Sequence, residues 1–378
     1  MNQHEEYDLT YVTIDSLSEG VGSSQITPLV TRLSGAGLKI NLISYEKVRP
    51  SNEIVDQLNS HSVQWNIREF NRNGVLGGIQ RINELRREIH KSRVIHARSE
   101  VATVSAILSN QAPVLWDVRS LWADQKIMLQ EGLFGNALSR QYRKLETISA
   151  RGSQGMSTLT NAVVPVLEQR HTKLPSMRIV VPTSVDLRLF AFSQTMPSSI
   201  RALFSGTYNK YYDMNLSALF MQELRNQIFV ETHWVRPIES NITAINVGEE
   251  QIFPASRNAM AELIPNYSFG VSICKIDAGP SLSAAMPTKI AEFLACGRPI
   301  VINKGLGDMD RFIKEFNAGV ILDGETSSLY ESATQLIDLI KDPETPFRCR
   351  ALAEKYFNID IGVSKYIDLY TKMINNTE

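Results

Sequence analysis

Short apolar runs alternate along the chain with longer stretches whose apolar residues recur at helical spacing. Residues 9–14 read as a strand. The next stretch sets Ile26, Leu29, Val30 and Leu33 on one helical face, with Gly35 and Gly37 near its end, and residues 38–44 form a second strand. A strand–helix–strand unit of this kind pairs its strands in parallel. The pattern continues with strands at 63–67, 94–97, 114–116, 156–159 and 179–181 and helices at 79–93, 101–108, 138–150 and 162–169. The polar, proline-bearing segment 192–199 (FSQTMPSS) divides this series from a second one. There, strands are predicted at 202–205, 228–230, 242–247, 269–273, 299–302 and 318–322. The helices include one carrying Leu216, Leu219, Phe220 and Leu224, one at 258–264, one opened by Pro287 and closed by Gly297, and three at 329–340, 347–356 and 361–373. The fold class is therefore α/β, with two doubly wound, Rossmann-like domains at 1–192 and 200–358 and a terminal helix at 359–378. Ligands of open parallel sheets meet the carboxyl ends of the strands, so a cleft between the two domains is the expected site.

Composition narrows the function classes. With 378 residues, 43% hydrophobic and 21% charged, the chain is globular and long enough for two domains. Its 39 basic and 40 acidic side chains give no basic excess for nucleic acid. Cys274, Cys296 and Cys349 have neither metal spacing nor a disulfide framework. The start, MNQHEEYDLTYV, is acidic and lacks an apolar signal region, and no window has the length to span a bilayer. A soluble, cytoplasmic protein is expected.

Candidate chemistry gathers where strands are predicted to end. Gly20 and Gly22 lie in a run of small residues at 18–24 and let backbone approach a ligand. Gln25 occupies the third position of a G-x-G-x-x-G pattern, so a dinucleotide fingerprint is incomplete. Arg98, Asp117 and Arg119 directly follow apolar strands, where they serve either a ligand or an ion pair between loops. His96 sits in one of these runs and suits a core position. The helix at 79–93 is rich in Arg and Lys, which fits a solvated outer face or a dock for anionic lipid or an acidic partner. In the helix after Pro287, Ile290, Phe293 and Leu294 form a core stripe, Thr288 and Glu292 share another face, and Lys289 lies between. A helix start opposite a loop is an anion site, which suggests phosphate near Pro287 and a hydroxyl at Glu292; a solvated surface helix is the alternative. Asp308-Met309-Asp310 has the Asp-x-Asp spacing but begins a helix, where acids suit the dipole, so no metal site is predicted.

The segment MPTKIAEFLACGRPIVIN, with GLGD after it, resembles the donor-binding core of retaining glycosyltransferases of the GT-B fold, glycosyltransferase family 4. VIHARSEVA, WDVRSLWADQ, VVPTSVDLRLF and LFSGTYNKYYD resemble further segments of that family in the same order. The resemblance implies transfer of a sugar, with retained configuration, from a UDP- or GDP-type nucleotide-sugar to an acceptor in polysaccharide, glycolipid or small-molecule glycoside synthesis. It implies no other cofactor and no metal. Glu292 takes the ribose-binding place, with the diphosphate near Pro287 and Thr288. Gly206 and Thr207 match the first loop of the second domain, Lys210 is the candidate phosphate-binding cation, and Gly20 and Gly22 match the loop that closes over the donor. The last helix would cross back to the first domain. Lys210, Lys289 and Asp117 are the expected catalytic residues, and Arg98 and Arg119 the acceptor side. Two departures stand out. The family's first motif glutamate is Ala284 here, leaving Ser283 or backbone N–H groups to touch the sugar, and Ser184 replaces a common glycine. A catalytic histidine has no clear counterpart. A nucleotide-sugar epimerase, a pseudo-glycosyltransferase or a non-catalytic nucleotide-sugar-binding partner are the alternatives. A sugar, lipid-linked or small-molecule acceptor fits, and so does peripheral contact with the inner membrane face.

Overall fold

A computed structural model describes residues 7–18, 20–71, 74–129, 133–206, 210–236, 250–253 and 255–376. The chain divides into two compact units: residues 1–181 with 360–378, and residues 182–359.

The first unit is a seven-stranded, wholly parallel sheet in the order β3-β2-β1-β4-β5-β6-β7. Its elements are β1 (Tyr7–Val12), α1 (Thr27–Gly35), β2 (Ile40–Glu46), α2 (Asn52–Asn59), β3 (Val63–Glu69), α3 (Gly74–Glu88), β4 (Ser92–Arg98), α4 (Ser99–Ser109), β5 (Val114–Val118), α5 (Trp122–Leu129), α6 (Leu133–Gly152), β6 (Gly155–Thr158), α7 (Val164–Arg170) and β7 (Met177–Val180). Helices on both faces explain why β2 and β5 are buried along their whole length, their polar residues Asn41, Ser44, Glu46 and Asp117 included. One side of the core joins Val12, Ile43, Ile95, Ala97 and Val114 to Ala102 and Leu85.

The second unit holds a six-stranded parallel sheet in the order β10-β9-β8-β11-β12-β13. It runs β8 (Arg201–Ser205), α8 (Met214–Gln227), β9 (Glu231–Val235), β10 (Glu250–Phe253), α9 (Arg257–Leu263), β11 (Phe269–Ser272), α10 (Pro280–Ser283), α11 (Thr288–Ala295), β12 (Ile300–Asn303), α12 (Met309–Phe316), β13 (Gly319–Leu322), α13 (Leu329–Lys341) and α14 (Thr345–Tyr356). Phe204, Phe220, Leu224, Trp234, Phe269, Val301 and Leu336 fill its core. The last helix, α15 (Ile359–Asn375), packs with the first unit, where Met373 sulfur lies against Gly155.

Several predicted boundaries move. The strand expected at 228–230 lies at Glu231–Val235, because Ile228 N–H still bonds to Leu224 O and closes α8. The strand expected at 242–247 falls outside the described residues. The basic helix starts five residues early, at Gly74, and stops at Glu88; Ser92 and Arg93 already belong to β4. Its faces differ too: Ile79 is half exposed, whereas Arg81 is buried with its guanidinium 4.4 Å from the Phe70 ring centre. The run of small residues is no open loop at its second half. Residues 22–26 form one wide π-type turn that feeds α1, with Ser23 and Ser24 hydroxyls donating to Gly20 O at 3.0 and 2.9 Å. No described helix is long and apolar enough to cross a membrane.

Candidate functional site

Each sheet has one place where strand order reverses, and there neighbouring loops leave in opposite directions and open a crevice. In the second unit that place is between β8 and β11. β8 ends at Ser205 and Gly206 follows with φ +92°, its N–H on Val235 O at 2.8 Å. A Cβ on Gly206 would stand 3.6 Å from Lys289 Nζ, an ordinary contact that puts the turn beside that ammonium, and it is the positive φ that favours glycine here. Thr207 lies outside the described residues; Lys210, just beyond, is exposed. Tyr211 and Tyr212 then fold back on the loop after β11. Tyr211 OH donates to Ser281 O at 3.1 Å, Lys275 N–H donates to Tyr211 O at 2.9 Å, and Tyr212 bridges Cys274.

The helix predicted around Glu292 is α11. Ile290, Phe293 and Leu294 are fully buried, as their spacing requires, and Gly297 closes the helix at φ +79°. Pro287 precedes it as N-cap, without a side-chain cap, and Thr183 Oγ1 donates to Met286 O at 2.6 Å, fixing the entry. Lys289 does not lie on an open face. It is 8% exposed, with Nζ 4.3 Å from the Tyr212 ring centre. Burial pushes its pKa down to about 8, with Cys274 and Glu292 opposing the shift. Glu292, one turn on, is partly buried; burial pushes its carboxyl up to about 7, against the pull of Arg257 and then Lys289. The bare helix start, Lys289 beside Gly206, and Glu292 thus form one polar wall suited to an anion at one end and hydroxyl groups at the other. Ser283 donates its hydroxyl to Pro280 O at 2.7 Å. Ala284 is 2% exposed, so its Cβ faces protein. Asp308 holds the N-cap position of α12 without a side-chain capping bond, and Asp310 accepts Gly305 N–H at 3.0 Å. Among the described residues, no group of three or more His, Cys, Asp or Glu could hold a metal ion.

In the first unit the order reverses between β1 and β4. Gly20 has φ +49°, and a Cβ on Gly22 would fall 1.8 Å from Ser16 O, so no other residue fits there. Arg98 closes β4. Asp117, expected directly after the strand 114–116, lies within β5 one residue before its end and is 1% exposed, so its carboxylate is closed in by protein and the catalytic place expected for it is not an open one. It accepts from Arg119 Nε and Ser157 Oγ, both at 2.6 Å, and lies 3.1 Å from His96 Nε2 and 3.8 Å from Arg98 Nη1. Burial raises its carboxyl, but Arg119, then His96 and Arg98, hold it well below the usual range. Arg98 Nε donates to Asp15 at 2.8 Å, and Arg119 donates to Tyr366 OH at 3.0 Å. His96 is fully buried between Tyr11, Tyr366 and Tyr370, with Nδ1 2.6 Å from Tyr370 OH, and burial lowers its pKa. In the neutral ring Nδ1 accepts from Tyr370 OH and the hydrogen sits on Nε2, close to Asp117 but outside hydrogen-bond geometry.

The structure therefore gathers Gly206, Pro287, Thr288, Lys289 and Glu292 in one unit, and Arg98, Asp117 and Arg119 in the other. Sequence reasoning missed Tyr211, Tyr212 and Arg257 around the first group, and Asp15, Ser157, Tyr366 and Tyr370 around the second. The last two are four apart on one helix and could have been paired by that spacing.

No protein-family model matches the chain, and no curated protein matches its sequence. Solved structures do match its fold. A sucrose-phosphate synthase from Thermosynechococcus elongatus is 11% identical, covers 97% of this chain and 99% of its own, and superposes with a TM-score of 0.73. A glycosyltransferase from Rickettsia africae is 14% identical, with 99% and 100% coverage and a TM-score of 0.70. HepE of Anabaena, in complex with UDP and glucose, is 12% identical, with 96% and 98% coverage and a TM-score of 0.67. The two parallel-sheet, Rossmann-like units are those of the GT-B fold.

Proposed function

We propose that this chain is a glycosyltransferase, a retaining member of glycosyltransferase family 4 that moves a sugar from a nucleoside diphosphate-sugar to an acceptor without a metal ion. The observation that carries the reading is the polar wall of α11: Lys289 beside Gly206 at an uncapped helix start, with Glu292 one turn further on. The spacing matches a donor lying along the helix, diphosphate at its start and ribose at Glu292. UDP is the favoured nucleotide, since HepE is similar over its whole length and its structure contains UDP.

In this reading Glu292, ionised, accepts hydrogen bonds from ribose hydroxyls. As the bond from the sugar's anomeric carbon to the diphosphate oxygen breaks, negative charge grows on that oxygen. Lys289, the N–H groups of Thr288 and its neighbours, and Lys210 from the loop after Gly206 stabilise it. The acceptor hydroxyl attacks from the leaving-group side and passes its proton to the departing diphosphate, so configuration is retained and no protein base is required. Asp117 acts through Arg119, whose guanidinium it orients on the acceptor side, while Arg98, expected there too, is 4% exposed and links Asp117 to Asp15 instead.

The test is a panel of UDP- and GDP-sugars scored for released nucleoside diphosphate, with and without simple sugar or lipid-linked acceptors. Turnover, or slow donor hydrolysis, that disappears in Glu292→Ala supports the reading. If no nucleotide-sugar binds, or Glu292→Ala matches wild type, it is wrong. A second reading, epimerisation of the donor, is motivated by Ala284 in place of the family's first motif glutamate; it predicts a changed sugar without any acceptor.

A further inference from the structure

Glu46, the last residue of β2, is 3% exposed. Its carboxylate collects five donors. Oε1 accepts from Ser44 Oγ at 2.6 Å and Leu17 N–H at 2.9 Å. Oε2 accepts from Ser16 Oγ at 2.6 Å, Ser18 Oγ at 3.0 Å and Ser18 N–H at 3.4 Å. Trp65 Nε1–H donates to Ser44 Oγ at 2.9 Å, which turns that hydroxyl's own hydrogen toward Glu46. Four of the five donors belong to residues 16–18, the segment leading from the end of β1 to the Gly20–Gly22 turn. The contact continues from there: Gly22 packs so tightly on Ser16 that only glycine fits. On the near side Asp15 holds Arg98 Nε at 2.8 Å.

A buried carboxylate is a costly way to stabilise a loop, since an apolar contact of equal size does as well or better. What a carboxylate with five converging donors does supply is one loop conformation, because any shift leaves a buried charge under-bonded. The segment so fixed ends in the glycine turn that follows β1, at the place where the strand order of the first sheet reverses. We propose that Glu46 is a positioning residue: it holds residues 16–18, and through Ser16 the Gly20–Gly22 turn, in the one geometry that turn presents at the crevice between β1 and β4, where it serves the transfer. This rests on the glycosyltransferase reading.

Glu46→Gln keeps the shape but retains one acceptor oxygen and turns an NH2 group toward donors. Turnover is expected to fall about 100-fold, the scale of a misplaced reacting group. The KM for donor and the Kd for UDP should stay within about twofold, since the nucleotide contacts proposed above are those of α11. A purely structural role would lower folded protein or nucleotide affinity instead. Amide hydrogen exchange is read in parallel: Leu17 and Ser18 N–H should lose protection in Glu46→Gln while β4 and β5 keep theirs. Ser16→Ala with Ser18→Ala leaves the carboxylate its backbone partners and should show the same split more weakly; it carries the test if Glu46→Gln does not fold. Unchanged turnover in these variants, or unchanged exchange at Leu17 and Ser18, overturns the proposal. If wild type turns over no donor, the glycosyltransferase reading fails, and the exchange measurement alone then decides whether Glu46 fixes the turn.

Discussion

Lys289 should be held in place at a cost, and the cost should depend on pH in a known direction. Its pKa falls from the ordinary 10.5 to about 8 because the folded protein buries the ammonium. A basic group with a depressed folded value favours folding most above the unfolded pKa and loses that contribution as pH falls through the folded one. The charged lysine therefore burdens the second unit below pH 8. By linkage the burden is about 3 kcal/mol at pH 6 and under about 0.5 kcal/mol at pH 10.5. The contact with the Tyr212 ring returns about 1 kcal/mol of the former. Lys289→Met should thus be more stable than its parent by about 2 kcal/mol at pH 6, with the gap nearly closed at pH 10.5. Both chains should carry Glu292→Gln, so that the neighbouring carboxyl does not titrate. Urea unfolding measures the gap: at a slope of about 2 kcal/mol per molar, the midpoint moves up by about 1 M at pH 6. Donor binding should be lost in the same variant. If Lys289→Met is no more stable at pH 6, or its advantage is the same at both pH values, the ammonium is not buried as described and its role on the diphosphate loses its main support.

Three further outcomes follow from the same geometry. Donor binding needs Glu292 ionised and Lys289 charged, so affinity should rise as pH passes about 7, fall again above about 8, and lose only its acid limb in Glu292→Gln; calorimetry across this range reads both limbs. Arg298 is fully buried and donates to Ser193 O, Ser193 Oγ, Gly297 O, Thr195 O and Pro265 O, tying the segment after Phe192 to the second unit. Arg298→Met strands those carbonyls and should cost about 3–5 kcal/mol in urea unfolding; a cost below about 1 kcal/mol would mean water takes over the guanidinium's place. Ala284→Glu, which introduces the glutamate that the resembled glycosyltransferases carry at this place, should destabilise the second unit by about 2 kcal/mol or more and leave turnover no higher, because the side chain enters a packed site; a faster, equally stable variant would show instead that this position opens onto the sugar.

The parts of this protein legible in its sequence are those where burial and period coincide. β2, β5 and β12 are sunk on both faces, so their runs of apolar residues could be nothing else, and α11 carries its core stripe and its Glu292 at one fixed helical phase. Boundaries failed where side chains act against type. Arg81 is buried because Phe70 gives its guanidinium a ring to lie on, so a helix that looks basic outward turns a charge inward, and Ile79 is left half exposed. The site divides in the same way. Glu292 and Lys289 are near in sequence, and helix geometry relates them without any knowledge of the fold. The partners that decide what each can do are distant: Tyr212 under Lys289, Arg257 beside Glu292, and Tyr366 at Arg119. Those contacts arise from strand order, which sets β8 beside β11 and brings α15 back to the first unit. Asp117 shows the consequence. From the sequence, a carboxylate after an apolar run is as good a candidate for chemistry as Glu292. Once β4, β5 and β6 stand side by side, Arg119, Ser157 and His96 enclose it, and its carboxylate is engaged by them. Glu46 has the same character at the end of β2. A charged residue at a strand end therefore points to the crevice, while its exposure after the sheet is assembled decides whether its atoms are open to a ligand or held by neighbouring side chains.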